Sequence, residues 1–316
     1  MDALTILIWH VHGSWMEAFV RGPHRYLLPV EPGSEAGGRR PLWPASVRNV
    51  TADEAPAEHI DAIILQRPSE LELAHRWLGA RKPILDVPVI YLEHNAPQGR
   101  INEMRHPFAD RDDLTIVHVT HFNALFWDCG TTRTRVIEHG IPDPGYRYTG
   151  ELERVAVVIN EAERRGRVTG TDLLPYFERE AGPLDHYGIG TPRDLPVDEL
   201  HFAIARCRVY LHPFRWTSLG LALLEAMACG MPVAALGTTE IPYAVPPGTG
   251  IVSNHPAVLV AEVRRLMHDR EAARLLGMRA REHVMKHYGL ERFLGEWDNV
   301  LADACTTHAA RTKLSR

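Results

Sequence analysis

The stretch Ser218-Leu-Gly-Leu-Ala-Leu-Leu-Glu-Ala-Met-Ala-Cys-Gly-Met-Pro-Val-Ala234 decides how this chain is interpreted. Ser218 is suited to cap the first turn of a helix, and Gly230 followed by Pro232 is suited to end it. The helix between them is apolar except for Glu225, and an apolar strand follows directly. A carboxylate inside a helix that packs on a sheet is costly unless another group contacts it. Glu225 is therefore the first candidate for a functional residue.

Short apolar segments alternate with helical patterns along the 316 residues, which predicts an α/β fold of parallel sheets covered by helices. The predicted strands are Leu4–Trp9, Tyr26–Val30, Ile60–Leu65, Val87–Leu92, Thr115–Val119, Arg135–Glu138, Val155–Ile159, Leu184–Tyr187, Val209–Leu211 and Pro232–Leu236. The predicted helices are His121–Asp128, Thr171–Arg179, Val197–Ala205, Leu219–Ala228, Pro256–Met267, Glu271–His287 and Leu290–Ala304. Turn residues at 140–145 indicate a hinge between two domains. Residues 31–40 are expected to form a mobile loop and residues 311–316 a frayed tail.

Composition restricts the class of protein. The net charge of −5 gives no general attraction to nucleic acid, and there is no apolar run of the length that spans a bilayer. The N-terminus lacks the features of a signal peptide, and the four cysteines are widely spaced. These observations predict a reduced, cytoplasmic protein without a disulfide framework. His10 and His12 are more typical of loop or ligand-contact histidines than of a metal site.

The spacing within the quoted stretch indicates a nucleotide site. With Ser218 as the cap, Glu225 lies about 10 Å further along the helix axis. A helix N-terminus attracts an anion, and a carboxylate accepts hydrogen bonds from two neighbouring hydroxyls, as on a ribose. Three arginines that follow a predicted strand, Arg164, Arg165 and Arg167, are suited to neutralise a diphosphate. The alternative for Glu225 is an ion pair with a buried arginine in an ordinary helix. The alternative for Arg164, Arg165 and Arg167 is a solvated basic loop without a ligand.

These residues resemble a known family, the retaining GT-B glycosyltransferases of the large group named glycosyl transferases group 1. Its signature, Glu-Gly-Phe-Gly-Leu-Pro-Leu-Leu-Glu-Ala-Met-Ala-Cys-Gly-Thr-Pro-Val, is similar to residues 217–233. Residues 237–242, 248–252, 164–174 and 136–143 resemble four further motifs of the family. The resemblance is specific over about 136–300. It implies two Rossmann-like domains facing a cleft, at 1–145 for the acceptor and 146–288 for the donor. Residues 289–316 would return to the first domain.

The resemblance also implies roles for individual residues. Glu225 would bind the ribose, Arg164 the diphosphate, and backbone amides near Ser218, Leu219, Gly220, Thr238 and Thr239 the sugar and phosphates. Glu240 would contact the donor or serve as a structural carboxylate. His94 would face the reacting sugar, with Gly13, His12, Ser14, Trp15 and Asn95 close to the phosphates or the acceptor. Trp43 and Trp127 are further candidates for stacking on the acceptor, although core packing is the better expectation for Trp127.

Three departures from the family pattern affect the expected chemistry, and the first is a single glycine, Gly13, where the family often has a Gly-Gly pair. Thr217 stands where the signature has its first glutamate, and Thr169 stands where the family has a phosphate-binding lysine. Arg165 or Arg167 would then supply the missing charge. The mechanism implied is metal-independent transfer with retention, from a nucleotide sugar to a small-molecule or glycan acceptor, with no further cofactor. The alternatives are a degenerate nucleotide-binding subunit that activates a partner, and a phosphorylase or epimerase on the same fold. The sequence leaves the oligomeric state open.

Overall fold

A computed structural model of the chain describes residues 2–31 and 37–314. The polypeptide divides into two compact units. The first unit comprises Met1–Gly140 together with Leu290–Arg316, and the second comprises Ile141–Gly289. The chain passes from one to the other inside the turn-rich segment 140–145. Each unit is an open parallel sheet with helices, as the alternating pattern predicts.

The described residues form twelve strands and eleven α-helices. The strands are β1 (Thr5–Ile8), β2 (Arg25–Pro29), β3 (Val47–Val50), β4 (Ala62–Leu65), β5 (Val89–Glu93), β6 (Thr115–His118), β7 (Arg133–Val136), β8 (Leu152–Val158), β9 (Leu184–Tyr187), β10 (Cys207–His212), β11 (Val233–Ala235) and β12 (Ile251–Val252). The helices are α1 (Gly13–Phe19), α2 (Glu70–Trp77), α3 (His121–Phe126), α4 (Ala162–Arg165), α5 (Leu174–Ala181), α6 (Val197–Arg206), α7 (Leu221–Ala228), α8 (Ile241–Ala244), α9 (Pro256–His268), α10 (Arg270–His287) and α11 (Leu290–Leu314).

The sheet of the first unit has the order β3-β2-β1-β4-β5-β6-β7, with every described pairing parallel. The central strands are apolar and buried on both faces, as expected of a parallel sheet covered by helices. Strand β3 was not predicted because Val47-Arg-Asn-Val50 is short and exposes its two middle residues. Such a strand has neither a continuous apolar run nor a period of two.

The sheet of the second unit has the order β12-β11-β10-β8-β9, and its described pairings are also parallel. Its core is built on β8, β10 and β11, with α7 packed between the sheet and α10. The two-residue strand β12 was not predicted because Ile251–Val252 is too short to show a period. The sheet order places the carboxyl ends of β8, β10 and β11 next to one another, and this edge is where ligands bind in such folds.

The beginning of α7 differs from the prediction. The helix starts at Leu221 with Gly220 in the cap position, and Ser218 does not cap it. Gly220 is extended, with φ −77° and ψ 118°, and Leu219 is turned into the core, so the chain cannot become helical before Leu221. Glu225 therefore lies five residues beyond the cap, which is about 7.5 Å along the axis instead of 10 Å.

The expected frayed tail needs correction, and part of the expected mobile loop lies outside the described residues. Helix α11 continues to Leu314, so residues 311–314 are helical and not a frayed tail. Residues 32–36 of the expected mobile loop are outside the described part of the chain. Among the described residues, no helix combines the length and the apolar character needed to cross a bilayer.

Candidate functional site

Three loops meet at the carboxyl edge of the second sheet. They follow β8, β10 and β11, and hydrogen bonds tie them together. The backbone N–H groups of Arg215 and Trp216 donate to the carbonyl of Val168 at 2.9 and 3.1 Å. The Thr238 hydroxyl donates to the carbonyl of Phe214 at 2.7 Å. The segments predicted to bind the donor therefore form one connected surface around the N-terminus of α7.

The three arginines after β8 differ in their surroundings. Arg164 is exposed and forms an ion pair with Glu161. Arg167 is also exposed and pairs with Asp172 at 2.8 Å. Among residues 2–31 and 37–314, no carboxylate lies within ion-pair distance of Arg165, whose guanidinium sits 5.6 Å above the Phe214 ring. Burial and the nearby Arg164 lower the pKa of Arg165. Arg165 is thus the cation of this cluster that has no ion-pair partner among the described residues, although the charge of Glu161 acts on it from a greater distance.

A buried histidine lies beneath the start of α7. His212 ends β10, is fully buried, and stacks on Phe214 with ring centroids 4.0 Å apart. Neither of its ring nitrogens has a hydrogen-bond partner within the described chain. Burial and the charge of Arg165 lower the pKa of His212 to about 3, so the ring is neutral at neutral pH. A Cβ at Gly220 would lie 2.5 Å from His212 Cε1, which explains the glycine at this position.

Positive potential therefore collects at this edge, from groups that form no ion pair within the described part of the chain. The N–H groups of the first turn of α7 carry partial positive charge, and Arg165 carries a full charge. The neutral ring of His212 adds no charge, but its two nitrogens have no hydrogen-bond partner in the described chain. Buried polar atoms without partners are rare in folded proteins and call for a ligand or another explanation. The arrangement suits a diphosphate group.

Glu225 lies on α7 with 16% of its side chain exposed. Its ion-pair partner is His201 of α6, with Nε2 3.5 Å from Oε2, and this pair does not have hydrogen-bond geometry. The charge of Glu225 also contributes to raising the pKa of the buried Tyr210 hydroxyl, after the larger effect of burial. The alternative of a buried arginine partner is not what the structure shows, because the partner is a histidine at the edge of hydrogen-bonding distance.

The turn after β11 has unusual backbone geometry. Thr239 has φ +49°, a left-handed conformation that is uncommon for threonine and typical of functional turns. Glu240 is buried and follows directly. Thr169 is fully buried, and its hydroxyl is bonded to the carbonyl of Gly166 and to Thr171. Thr217 is partly buried in the loop that precedes α7.

The sequence placed the segment His212–Ser218 at the ligand-binding edge but assigned no individual role to His212 or Phe214, and it did not point to His201. The available signal was a histidine closing an otherwise apolar strand, at Val209-Tyr-Leu-His212. A buried polar residue at the carboxyl end of a strand is informative in this fold class, because ligands bind at that edge.

In the first unit, three histidines approach one another. The rings of His12 and His94 are 3.9 Å apart, His139 acts electrostatically on His94, and His12 acts on His139. Burial lowers the pKa of His94 well below its usual value. The same cause brings the pKa values of His12 and His139 to about 4 and 3. All three are therefore neutral at neutral pH, and the structure brings His12 and His94 together as candidates for one site.

The other predicted residues of the first unit have different positions. Trp15 is only 1% exposed and packs on Phe19 and Trp297, so the predicted contact between its indole and an acceptor is corrected to a core position beside His94. Trp43 is also buried. The remaining residues lie at or near the surface: Ser14 and Asn95 are exposed, Gly13 lies under the Arg40 guanidinium, and Trp127 packs on His106 and donates to the carbonyl of Asn95.

A buried carboxylate supports the loop after β4. Glu70 Oε2 accepts hydrogen bonds from the backbone N–H groups of Gln66 and Arg67 at 2.6 and 3.2 Å, whereas Oε1 is buried without a partner. Burial raises the pKa of Glu70 to about 7, although these two hydrogen bonds lower it. The carboxyl group of Glu70 therefore binds its proton more tightly in the folded protein than in the unfolded chain.

This shift predicts a pH-dependent effect of Glu70→Gln on stability. A raised carboxyl pKa contributes stability below the unfolded pKa, and that contribution is lost as the pH rises through the folded value of about 7. The free energy of unfolding of Glu70→Gln relative to the wild type should rise by about 2 kcal/mol between pH 5 and 8. Urea unfolding at each pH measures it. Glu72→Gln, on the exposed face of α2, is the control and should show no such trend; equal pH profiles for both variants would contradict the assignment.

Comparison with known proteins points to the second unit, which contains the loops around α7 described above. Residues 192–283 match the family described as glycosyl transferases group 1. The sulfoquinovosyl transferase SQD2 of Arabidopsis thaliana is 38% identical over 99 residues, which is 29% of this chain and 19% of that protein. The N-acetyl-alpha-D-glucosaminyl L-malate synthase of Bacillus anthracis is 33% identical over 89 residues, 27% of this chain and 23% of that protein. The matched segments thus span about one fifth of these two relatives.

Solved structures resemble the chain over almost its whole length. A sucrose-phosphate synthase from Thermosynechococcus elongatus superposes with a TM-score of 0.68 at 14% identity, covering 95% of this chain and 98% of that one. HepE from Anabaena, in complex with UDP and glucose, superposes with a TM-score of 0.63 at 13% identity, covering 95% and 100%. These likenesses establish the fold. The chain therefore has the GT-B fold, and residues 192–283 of its second unit are similar to the glycosyl transferases group 1 family.

Proposed function

We propose that this protein transfers a sugar from a nucleotide-diphosphate sugar to an acceptor hydroxyl, with retention at the anomeric carbon and without a metal ion. The second unit would bind the donor and the first the acceptor. The observation that supports this most directly is the positive potential at the start of α7, which comes from Arg165 and the helix N–H groups and lies beside the neutral, unpartnered ring of His212.

In this proposal the diphosphate lies against the first turn of α7, and Arg165 neutralises it. Glu225, about 7.5 Å further along the axis, accepts hydrogen bonds from the ribose hydroxyls. When the bond to the sugar breaks, negative charge grows on the departing phosphate, and the same groups stabilise that charge. The acceptor proton passes to this leaving phosphate. His94 would contact the reacting sugar, and Thr217 would offer a hydroxyl where the family has a carboxylate.

The first test is calorimetric titration with UDP, GDP, TDP and ADP, each with and without EDTA. UDP is the first choice because the structurally similar HepE was crystallised with UDP-glucose. We expect micromolar binding of one nucleotide that EDTA does not change. Radiolabelled sugar transfer from the matching nucleotide sugar then tests activity. Failure of all four nucleotides to bind would overturn the donor site itself.

Arg165→Met should weaken nucleotide binding about five- to thirtyfold, because it removes a charge-assisted contact worth about 1–2 kcal/mol. Arg164→Met is the matched control, since its exposed guanidinium is already paired with Glu161. Inorganic diphosphate should report the same difference between the two variants. If Arg164→Met loses more nucleotide affinity than Arg165→Met does, the diphosphate contact belongs to Arg164, as the family resemblance implies.

A second candidate is a nucleotide-binding subunit without activity of its own. The buried state of Thr169 favours it, because a fully enclosed hydroxyl bonded to Gly166 and Thr171 cannot replace a phosphate-binding lysine. This candidate predicts nucleotide binding with neither transfer nor hydrolysis when the chain is alone. A transfer product from the purified chain would exclude it.

A further inference from the structure

The carboxyl ends of three adjacent strands in the first unit carry a polar arrangement that the proposed function does not explain. Gln66 follows β4 and lies between Trp9, which follows β1, and His94, which follows β5. Gln66 is 4% exposed, so its amide is enclosed by the protein. Its Nε2 is 2.6 Å from the carbonyl oxygen of Trp9, and its Oε1 is 2.8 Å from His94 Nε2.

These two contacts fix the hydrogen positions. A carbonyl oxygen can only accept, so the amide N–H group of Gln66 must face Trp9 and its Oε1 must face His94. An amide oxygen also only accepts, so His94 Nε2 must carry the hydrogen. In a neutral imidazole the lone pair then belongs to Nδ1. Burial, with His12 and His139 nearby, lowers the pKa of His94 and so favours the neutral ring.

The position of Gln66 is itself held in place. Its backbone N–H donates to the buried Glu70 carboxylate at 2.6 Å, at the start of α2. On the other side, the edge of the Trp15 indole contacts the His94 ring, with centroids 5.5 Å apart. Packing and hydrogen bonds thus restrain both partners, which is how supporting residues orient a functional side chain.

We infer that Gln66 is a positioning residue that holds His94 in its Nε2–H tautomer, so that His94 presents Nδ1 as a hydrogen-bond acceptor. Any group that contacts Nδ1 directly must donate a hydrogen bond, as a hydroxyl does. A phosphate or carboxylate does not suit it, because these groups require a donor. The inference rests on the proposed function only in identifying this donor as a hydroxyl of the reacting sugar or the acceptor.

The tautomer can be measured without any activity. The full-length protein labelled with ¹⁵N in its histidine rings gives NMR cross-peaks that distinguish Nε2–H from Nδ1–H rings, and His94→Gln identifies the signal of His94. We expect the Nε2–H form in the wild type and loss of this preference in Gln66→Leu. Gln98→Leu, the same change at an exposed glutamine four residues after His94, is the control and should leave the signal unchanged. Wild-type His94 as the Nδ1–H form, or an unchanged tautomer in Gln66→Leu, would overturn the inference.

Kinetics supply the second readout. Gln66→Leu should lower kcat about tenfold or more, with nucleotide affinity unchanged, because the donor site lies in the other unit. Gln66→Glu should shift the acidic limb of the pH–rate profile to higher pH, since a carboxylate beside Nε2 favours the imidazolium against the opposing effects of His12 and His139. Glu70, whose carboxylate accepts from the backbone N–H of residue 66, is present in both the wild type and Gln66→Glu, so it does not account for the difference between them. If no transfer is found but the NMR result holds, the proposed function fails and the role of Gln66 stands.

Discussion

Gly277→Ala is expected to lower the free energy of unfolding of the protein by about 3 kcal/mol. Gly277 lies in the middle of α10, where this helix crosses the chain reversal that follows α7. A Cβ at this position would lie 2.9 Å from the carbonyl carbon of Gly230 and nearer still to its oxygen. The obstructing atoms belong to the backbone, so no side-chain rotation can relieve the clash. Helix α10 would have to move away from α7.

The reversal itself cannot move easily. Gly230 has φ +87°, and the N–H groups of Gly230 and Met231 donate to the carbonyls of Met227 and Ala226, which is the Schellman arrangement at the end of a helix. The displacement therefore falls on α10. Because α7, which carries Glu225, then loses part of its packing against α10, nucleotide affinity should fall together with stability.

Gly295→Ala is the control for this prediction. Gly295 is an exposed glycine within α11, and a Cβ there would meet no atom within 4 Å. The change should stabilise the protein by about 0.5–1 kcal/mol, because alanine is the better helix former. Urea unfolding followed by circular dichroism compares the two variants. A Gly277→Ala protein within 1 kcal/mol of the wild type would show that α10 and the reversal are not tightly packed.

Glu225→Ala is expected to weaken nucleotide binding by at least tenfold, and up to about a hundredfold. The variant loses two hydrogen bonds to a charged group, each worth about 1.5–3 kcal/mol, and water replaces part of them. The fold should be little affected, because the contact of Glu225 with His201 is 3.5 Å long and lacks hydrogen-bond geometry. Calorimetry with the nucleotide selected by the first titration measures the effect.

Two comparisons make the result specific. Glu199→Ala removes an exposed carboxylate from the neighbouring helix α6 and should leave nucleotide affinity unchanged. Inorganic diphosphate should bind Glu225→Ala as it binds the wild type, because Glu225 is assigned to the ribose and Arg165 to the diphosphate. Unchanged nucleotide affinity in Glu225→Ala would remove the ribose assignment, and an equal loss for inorganic diphosphate would point to a general disturbance of α7.

Most of the architecture follows from local patterns. Each central strand is a buried run of apolar residues bounded by polar ones, so the alternation with helices was readable from residue order alone. The end of α7 was equally clear, because Gly230 has no Cβ to oppose a left-handed conformation. Its beginning was not, because a serine that could cap a helix does so only if the chain can turn at that point.

The fold class follows from the alternation of apolar and helical segments, and the family segment and the interest in Glu225 follow from residue types at short spacings along one helix. The tertiary fold shows which charges are already compensated. Arg164, Arg165 and Arg167 look equivalent in sequence, and only the positions of Glu161, Asp172 and Phe214 distinguish them. It also brought Gln66 next to His94, from strands that are neighbours in the sheet but 28 residues apart along the chain. Pairing of this kind depends on which strands lie side by side, and no local pattern encodes that.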